Sequence, residues 1–226
     1  PCEILGPHML VLSYPAPMFA TNCWVISPGV GQECIIIDPG MPDISSEVMM
    51  LVEEYKLKPV AALLTHGHLD HTFSIVPLAD GYGIPTYIHS EDRRFVSNPA
   101  GIHGPDLMAQ LGDMNFVEPK DLRELKNAEV INLLDMKVTA IHAPGHTRGS
   151  TMFTLNEEIL ISGDVLFAGS IGRTDLPTGS ASQMRETLLK KVLPLNDDLR
   201  VLPGHGPETT IKFERKSNPY LKELTS

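Results

Sequence analysis

The sequence has little cysteine, no long apolar run and fewer cations than anions, and each shortage excludes something. The three cysteines, Cys2, Cys23 and Cys34, form no C-x-x-C pair, and their odd number argues against a disulfide framework. Reduced thiols, kept as small buried hydrophobes in the cytosol, fit better. No apolar stretch reaches the roughly 20 residues that a membrane-spanning helix needs. The opening PCEILGPHML has no basic segment leading into an apolar one. A soluble, cytoplasmic protein with no membrane partner is expected. Lysine and arginine number 18 against 28 acidic residues, a net charge of −10. Such a chain repels phosphate backbones, so no nucleic-acid partner is expected either. There is no short-period repeat, low-complexity tract or linker.

What is present is an ordinary globular composition, 42% hydrophobic and 20% charged. The 226 residues suffice for a sizeable core, and residues 1–226 are expected to form a single domain. Asn22 to Ser27 and Cys34 to Ile37 read as strands, the second stopped by Asp38-Pro39-Gly40. Asp43 is placed to cap a helix in which Val48, Leu51, Val52 and Tyr55 share a face. Pro59 ends that region, and Val60 to Leu64 supplies another strand. A helix is expected from about Thr72 to Ala79 and a strand at Thr86 to His89. Ser90 to Asn127 reads as polar loops and short helices, long enough to line a substrate cleft. Further strands fall near Lys137 to His142, Ser150 to Leu155, Ile159 to Ser162 and Arg200 to Leu202. Between the last two lies a helix from about Ser182 to Val192, with Met184, Leu188 and Val192 on one stripe. The pattern is α/β: two β-rich halves faced by helices.

Metal-compatible side chains gather at the ends of these strands. Thr65-His-Gly-His-Leu-Asp-His71 follows an apolar strand directly. In an extended segment His66 and His68 point the same way, and a turn toward a helix aims Asp70 and His71 at a second point nearby. His146 lies in Ala143-Pro-Gly-His-Thr147, Asp164 in Ser162-Gly-Asp-Val165, and His205 in Pro203-Gly-His-Gly206. Each has glycine or proline beside it, which lets the backbone turn tightly. Five histidines and two aspartates are about what two divalent metals need if one carboxylate bridges them. Zinc suits this set first, and iron or manganese also do. A bridged pair acidifies water to a pKa of about 7, giving a metal-bridging hydroxide as nucleophile. His8, His89, His103 and His142 read instead as surface or satisfied core residues, and Tyr14, Phe19 and Trp24 as packing aromatics.

These motifs resemble the metallo-β-lactamase superfamily, and within it the glyoxalase II-like (hydroxyacylglutathione hydrolase-like) enzymes of the short type. THGHLDH is similar to the superfamily signature, and APGHTRGS, SGDVLF and LPGHGPETT are similar to its later ligand motifs, in the same order. The resemblance implies a four-layer αββα sandwich with the site at one edge. It implies His66, His68 and His146 on one metal, Asp70, His71 and His205 on the other, and Asp164 bridging, with Asp70 also orienting the hydroxide as a catalytic residue. Asp38, in IIIDPG, falls where the family carries an aspartate that steadies the first histidine loop. β-Lactamases generally carry cysteine or serine at the position of Asp164, which argues against antibiotic hydrolysis. The implied reaction is hydrolysis of a 2-hydroxyacyl thioester such as S-lactoylglutathione or a related acyl-thiol.

The resemblance has one departure. Only about twenty residues follow His205, and Lys212, Arg215 and Lys216 read as a solvated basic face and not as a clamp on glutathione carboxylates. Gly172-Arg-Thr-Asp-Leu-Pro177 resembles a segment of both short hydrolases and persulfide dioxygenases. Arg173 either orients a substrate carboxylate or braces its own loop through Asp175, and bracing is the favoured reading. A mononuclear-iron persulfide dioxygenase holding its iron through His66, His146 and Asp164 is the alternative function, and His205 counts against it. A lactonase shares the ligand set, and a nuclease of the superfamily is a distant option for so acidic a chain.

Overall fold

The run Cys34 to Ile37 is apolar without a break because both faces of its strand are covered. Side chains alternate across a strand, so Ile35 and Ile37 enter one apolar cluster while Cys34 and Ile36 enter another. In the computed structural model, which describes residues 3–5, 9–103, 105–112, 114–133 and 136–225, this strand is the centre of a seven-stranded sheet. The sheet runs in sequence order through β1 (Glu3–Leu5), β2 (Met9–Pro15), β3 (Asn22–Ser27), β4 (Glu33–Ile37), β5 (Lys58–Leu63), β6 (Thr86–His89) and β7 (Leu122–Leu125). It is antiparallel as far as β4 and parallel from there to β7. A second sheet holds β8 (Val130–Leu133), β9 (Met136–His142), β10 (Thr151–Leu155) and β11 (Ile159–Gly163). After the small hairpin of β12 (Leu166–Phe167) and β13 (Ser170–Ile171), β14 (Arg200–Pro203) and β15 (Thr209–Thr210) complete it.

Three apolar clusters define the layers. Val11, Trp24, Ile35 and Ile37 of the first sheet meet Val138, Phe153, Ile161 and Leu202 of the second. Outside the first sheet, α1 (Ser45–Glu54) and α3 (Ile75–Tyr82) bury Val48, Val52, Ile75 and Leu78 against Val25, Ile36 and Ala62. Outside the second, α6 (Ala181–Thr187), the π-turn Leu188–Val192, α7 (Ile211–Ser217) and α8 (Pro219–Thr225) cover Met152, Leu160 and Val201. Between them in sequence lie α2 (Leu69–Thr72), α4 (Ser90–Arg93) and α5 (Pro105–Leu111). The architecture is the expected αββα sandwich. No described helix is long and apolar enough to cross a membrane.

Several expectations change in detail. The helix expected over 72–79 is two, α2 and α3, because Ser74 is drawn aside: its hydroxyl donates to the Gly40 carbonyl at 2.6 Å and accepts the Ile44 N–H at 2.8 Å. Asp43 does not cap α1. Its carboxylate takes the Ser45 N–H at 2.9 Å, one residue early, and Ile44 occupies the cap position. Pro59 does not end the preceding region but lies inside β5, opposite Cys34 at an irregularity in the ladder. The polar stretch 90–127 holds the short helices expected of it and also β7, an edge strand of which only Leu125 is fully buried. Met184, Leu188 and Val192 are all buried, as their stripe requires, although the helix widens to a π-turn at Leu188. Cys23 and Cys34 are free and buried, with burial pushing the Cys34 thiol up to about 12. Cys2, His8, Gly104 and Asp113 lie outside the described residues.

His89 ends β6, takes the Glu91 N–H at 3.3 Å, and stacks on His142 with ring centroids 4.0 Å apart. Burial, then the neighbouring His142, lowers its pKa from 6.5 to about 4, against the opposing carboxylates of Glu91 and Glu124. Between those two values the unfolded chain binds a proton that the folded chain refuses. This contribution is therefore complete above pH 6.5 and is lost as pH falls toward 4. His89→Gln keeps an acceptor for Glu91 and removes the titration. Its Tm is expected to fall less than that of the native chain between about pH 7.5 and about pH 5; an equal fall would place the acid sensitivity elsewhere.

Candidate metal centre

All seven candidate ligands converge at one edge of the sandwich, where strands end and loops begin. β5 delivers His66 and His68, α2 carries Asp70 and His71, and the loop between β9 and β10 carries His146. Asp164 follows β11, and His205 follows β14. The ligand-type atoms of His66, His68 and His146 lie within 4.8 Å of one another, as do those of Asp70, His71 and His205. His66, His71 and Asp164 form a third such group that joins the first two. Asp164 sits between them: one oxygen is 3.4 Å from His146 Nε2 and 3.4 Å from His205 Nε2, and the other is 3.4 Å from His71 Nε2.

The outward nitrogens fix how these rings face. His71 Nδ1 donates to Asp38 Oδ2 at 2.9 Å, His146 Nδ1 to the Arg173 carbonyl at 2.8 Å, and His205 Nδ1 to the Phe19 carbonyl at 3.0 Å. The single proton of the Thr65 hydroxyl goes to Asp38 at 2.6 Å, so Thr65 Oγ1 accepts from His66 Nδ1 at 3.0 Å. Each of these four rings thus turns Nε2 inward, the arrangement in which an outer hydrogen bond orients a metal-binding imidazole. His68 is reversed. Its Nδ1 lies inside, 3.0 Å from His66 Nε2 and 2.8 Å from His146 Nε2.

One proton on His68 Nδ1 can serve only one of those two neighbours, so the remaining lone pairs face each other across a distance that suits ligands of a shared cation. Among the described residues His68 Nε2 and Asp164 Oδ1 are buried without a hydrogen-bond partner. A Cβ at Gly204 would collide with Asp164 Oδ1 and lie 2.7 Å from His71 Cε1, so only glycine leaves the cradle open. Imidazoles and carboxylates so placed fit two divalent metals.

The charges agree. Burial, followed by the charges of nearby histidines, lowers His66 well below the ordinary value and keeps it neutral, as metal ligation requires. His68 is lowered by the same causes. Burial would lower His71 as well, but Asp164, Asp70 and Asp38 outweigh it and raise the ring well above the ordinary value. His205 is raised to about 9, burial being outweighed by hydrogen bonds to Asp164 and Asp70. Burial alone would push Asp70 and Asp164 up, but the charge of His71, the hydrogen bond from His205 and the other nearby histidines together outweigh it, so both stay below the ordinary carboxylate range.

Other residues place the loops. Asp38 takes the Thr65 N–H at 2.8 Å in addition to the Thr65 hydroxyl and His71, and so touches the first histidine loop at three points. Thr21 donates to Asp70 Oδ2 at 3.0 Å, and the Asn22 amide donates to the carbonyls of Pro203 and Gly206 on either side of His205. Trp24 also donates to Pro203, at 3.1 Å. Asp92 is fully buried and accepts three donors: Gly67 N at 2.9 Å, Gly149 N at 2.8 Å and the Thr147 hydroxyl at 2.6 Å. It ties the loop of His66 and His68 to the loop of His146. Nothing in Ser90-Glu-Asp-Arg-Arg94 marks it, since a polar run in a loop reads as solvated.

A cleft of about 620 Å³ opens over the cluster. Phe19 lines it, while Tyr14 and Trp24 pack in the core. His103 is buried and satisfied, its Nε2 taking the Leu69 N–H at 2.7 Å, and it also forms part of the wall. His89 and His142 stack together away from the cluster. Arg173 lines the cleft and donates twice to Asp175, each time at 2.7 Å. Arg215 does not join a solvated face: it binds Asp197 and the carbonyls of Leu193 and Leu195.

Residues 16–205 match the family model of the metallo-β-lactamase superfamily, and the chain belongs to that superfamily. An uncharacterized protein of Mycobacterium leprae is 40% identical over 219 residues, covering 96% of this chain and all of its own length. A hydroxyacylglutathione hydrolase, GloC, of Haemophilus influenzae is 35% identical over 213 residues, covering 92% of this chain and 95% of that protein. Among solved structures, the BLEG-1 B3 metallo-β-lactamase superposes with a TM-score of 0.84 at 32% identity, over 93% of this chain and 99% of that one. TTHA1623, in a di-iron-bound form, superposes with a TM-score of 0.75 at 32% identity, over 93% of this chain and all of that one.

Asp92→Asn keeps the shape but turns an amide toward donors, leaving at least one buried N–H or hydroxyl unmatched, at a cost of about 1–3 kcal/mol. Metal affinity, read by competition with a chromophoric chelator, is expected to fall roughly 10–100-fold, together with a lower Tm. Native affinity in a folded variant would show that Asp92 does not hold the ligand loops together.

Proposed function

We propose that the protein is a dinuclear metal-dependent thioester hydrolase of the glyoxalase II-like type, acting on a 2-hydroxyacyl thioester such as S-lactoylglutathione or a related acyl-thiol. The observation that carries this reading is the position of the Asp164 carboxylate, within 3.4 Å of His146 on one side and of His71 and His205 on the other. His66 Nε2, His68 Nδ1 and His146 Nε2 are assigned to one metal and Asp70 Oδ2, His71 Nε2 and His205 Nε2 to the other, with Asp164 bridging. Zinc is the first expectation, and iron, as in the TTHA1623 structure, or manganese suits the same donors. The name of the GloC relative supports the thioester. The B3 β-lactamase among the structural neighbours means that resemblance of fold does not choose the substrate.

Bound divalent cations supply Lewis acidity, polarising a carbonyl and acidifying water to a pKa of about 7. The chain does the rest. His68 and His146 line the floor of the cleft beneath the thioester carbonyl with His66 behind them, and the outer hydrogen bonds of His66 with Thr65 and of His146 with the Arg173 carbonyl hold those two rings in place. The Asp70 carboxylate, held by Thr21, orients the attacking water. The cleft lays apolar side chains beside the reacting carbon. Hydrolysis adds the oxygen of water to the carbonyl carbon, breaks the C–S bond, and returns a proton to the departing sulfur.

Metal content by mass spectrometry, paired with S-lactoylglutathione hydrolysis, tests the reading. About two metals per chain and a turnover abolished by a chelator are expected. Asp164→Ala is expected to retain one metal or none and to lose more activity than Asp92→Asn. One iron per chain, no hydrolysis, and oxygen uptake with a thiol persulfide would give the site to a mononuclear dioxygenase instead. His205 counts against that outcome, since it completes the second group of ligands.

A further inference from the structure

We propose that the cleft takes thioesters whose thiol carrier is uncharged and largely apolar, and that it has no grip for the two carboxylates of glutathione. This rests on the thioesterase reading and deepens it. The wall above the cluster is made by Phe19, Leu107, Phe167, Ile171 and Leu176. These side chains come from four separate places: the turn before β3, helix α5, the β12–β13 hairpin and the loop after it. Gln110 and Ser170 add neutral polarity.

Positive charge is what the wall lacks. All 18 lysines and arginines lie among the described residues, and Arg173 is the one that reaches the cleft. Its guanidinium is already engaged twice by Asp175. A substrate carboxylate there would have to displace Asp175 or lie against it. His103, the ring in the wall outside the ligand set, spends Nε2 as an acceptor from the Leu69 N–H, so it presents no cation. The C-terminal cations point elsewhere: Arg215 is tied to Asp197 and to the carbonyls of Leu193 and Leu195. Lys190 and Lys191 line a different groove, beside Glu186.

A carboxylate moved from water onto such a wall loses hydration and meets only the neutral donors of Gln110 and Ser170, with no unpaired cation. S-Lactoylglutathione, a net anion even with its γ-glutamyl ammonium, also approaches a chain of net charge −10 against its field. An uncharged carrier meets neither penalty, and it covers the apolar wall.

The test removes the two carboxylate charges, leaves the γ-glutamyl ammonium in both compounds and nearly keeps the size. Metal-reconstituted protein is given S-lactoylglutathione and, separately, its dimethyl ester. Both are assayed at high salt, which screens the attraction between the acidic chain and the ester's ammonium, and there the kcat/KM of the ester is expected to equal or exceed that of the free acid. A lower kcat/KM for the ester would overturn the proposal and leave the thioesterase reading standing; failure to hydrolyse either compound would overturn both. Binding of the non-hydrolysable S-hexylglutathione and its dimethyl ester, measured by calorimetry, is expected to follow the same order. Arg173→Gln is expected to change kcat/KM for acid and ester by the same factor. A loss confined to the acid would assign Arg173 to a carboxylate and overturn the proposal.

Discussion

The metal centre depends on one constraint: loops that leave the ends of strands carry N–H groups into a region that water does not reach, and each must find an acceptor. The strand ladders have stopped by then, so buried side chains take over. Asp38 receives Thr65, Asp92 receives Gly67 and Gly149, and His103 receives Leu69. Asn22 works in the opposite sense, giving its amide protons to the carbonyls around His205. The loops of His66 to His71, of His146 and of His205 are therefore each fixed by a side chain from a different part of the chain. The position of the imidazoles is a consequence of this pairing, since the rings project from backbone that is already pinned.

The same pairing concentrates charge. Asp70 and Asp164 bring two carboxylates together beside His71 and His205, and like charges at such range repel. Asp38 and Asp92 are met instead by three donors each. Asp70 and Asp164 depend on positive charge supplied by His71 and His205, both of which hold protons more tightly than an ordinary histidine. Those protons occupy the inward nitrogens, where cations belong in the proposed centre. Metal and proton thus compete for one electrostatic role, and the folded scaffold needs one or the other there.

Much of this was legible in the sequence, for reasons that differ by element. Ile35 to Ile37 declared a buried strand because three β-branched residues in a row have nowhere else to go. The segment from His66 to His71 declared a ligand cluster because four metal-type side chains in six residues serve no packing purpose. Met184, Leu188 and Val192 declared a helix through their spacing alone. Asp43 fails locally, by bonding the Ser45 N–H one residue early; three other failures share one cause, a deciding partner distant in sequence. Ser74 breaks a helix through Gly40 and Ile44. β7 exists because β6 offers it an edge. Asp92 sits in a run of charges that reads as surface, and it becomes a buried clasp only through Gly67 and Gly149, which are 25 and 57 residues away.

The floor and the wall of the cleft are built differently, and this bears on how one scaffold serves many substrates. The floor comes from loops closing the two sheets, with hydrogen bonds at each turn and, at Gly204, no room for a single added carbon. A change there disturbs the sandwich itself. The wall comes from α5, from the small β12–β13 hairpin and from the turn around Phe19, none of which belongs to either large sheet. Residues on these pieces can change charge or size without unpairing a strand. Chemistry is then fixed where the fold is most constrained, and substrate choice is left to the parts that the fold constrains least. The chemistry of this chain is accordingly read from its seven converging ligands, and its substrate from five apolar side chains and one arginine already held by Asp175.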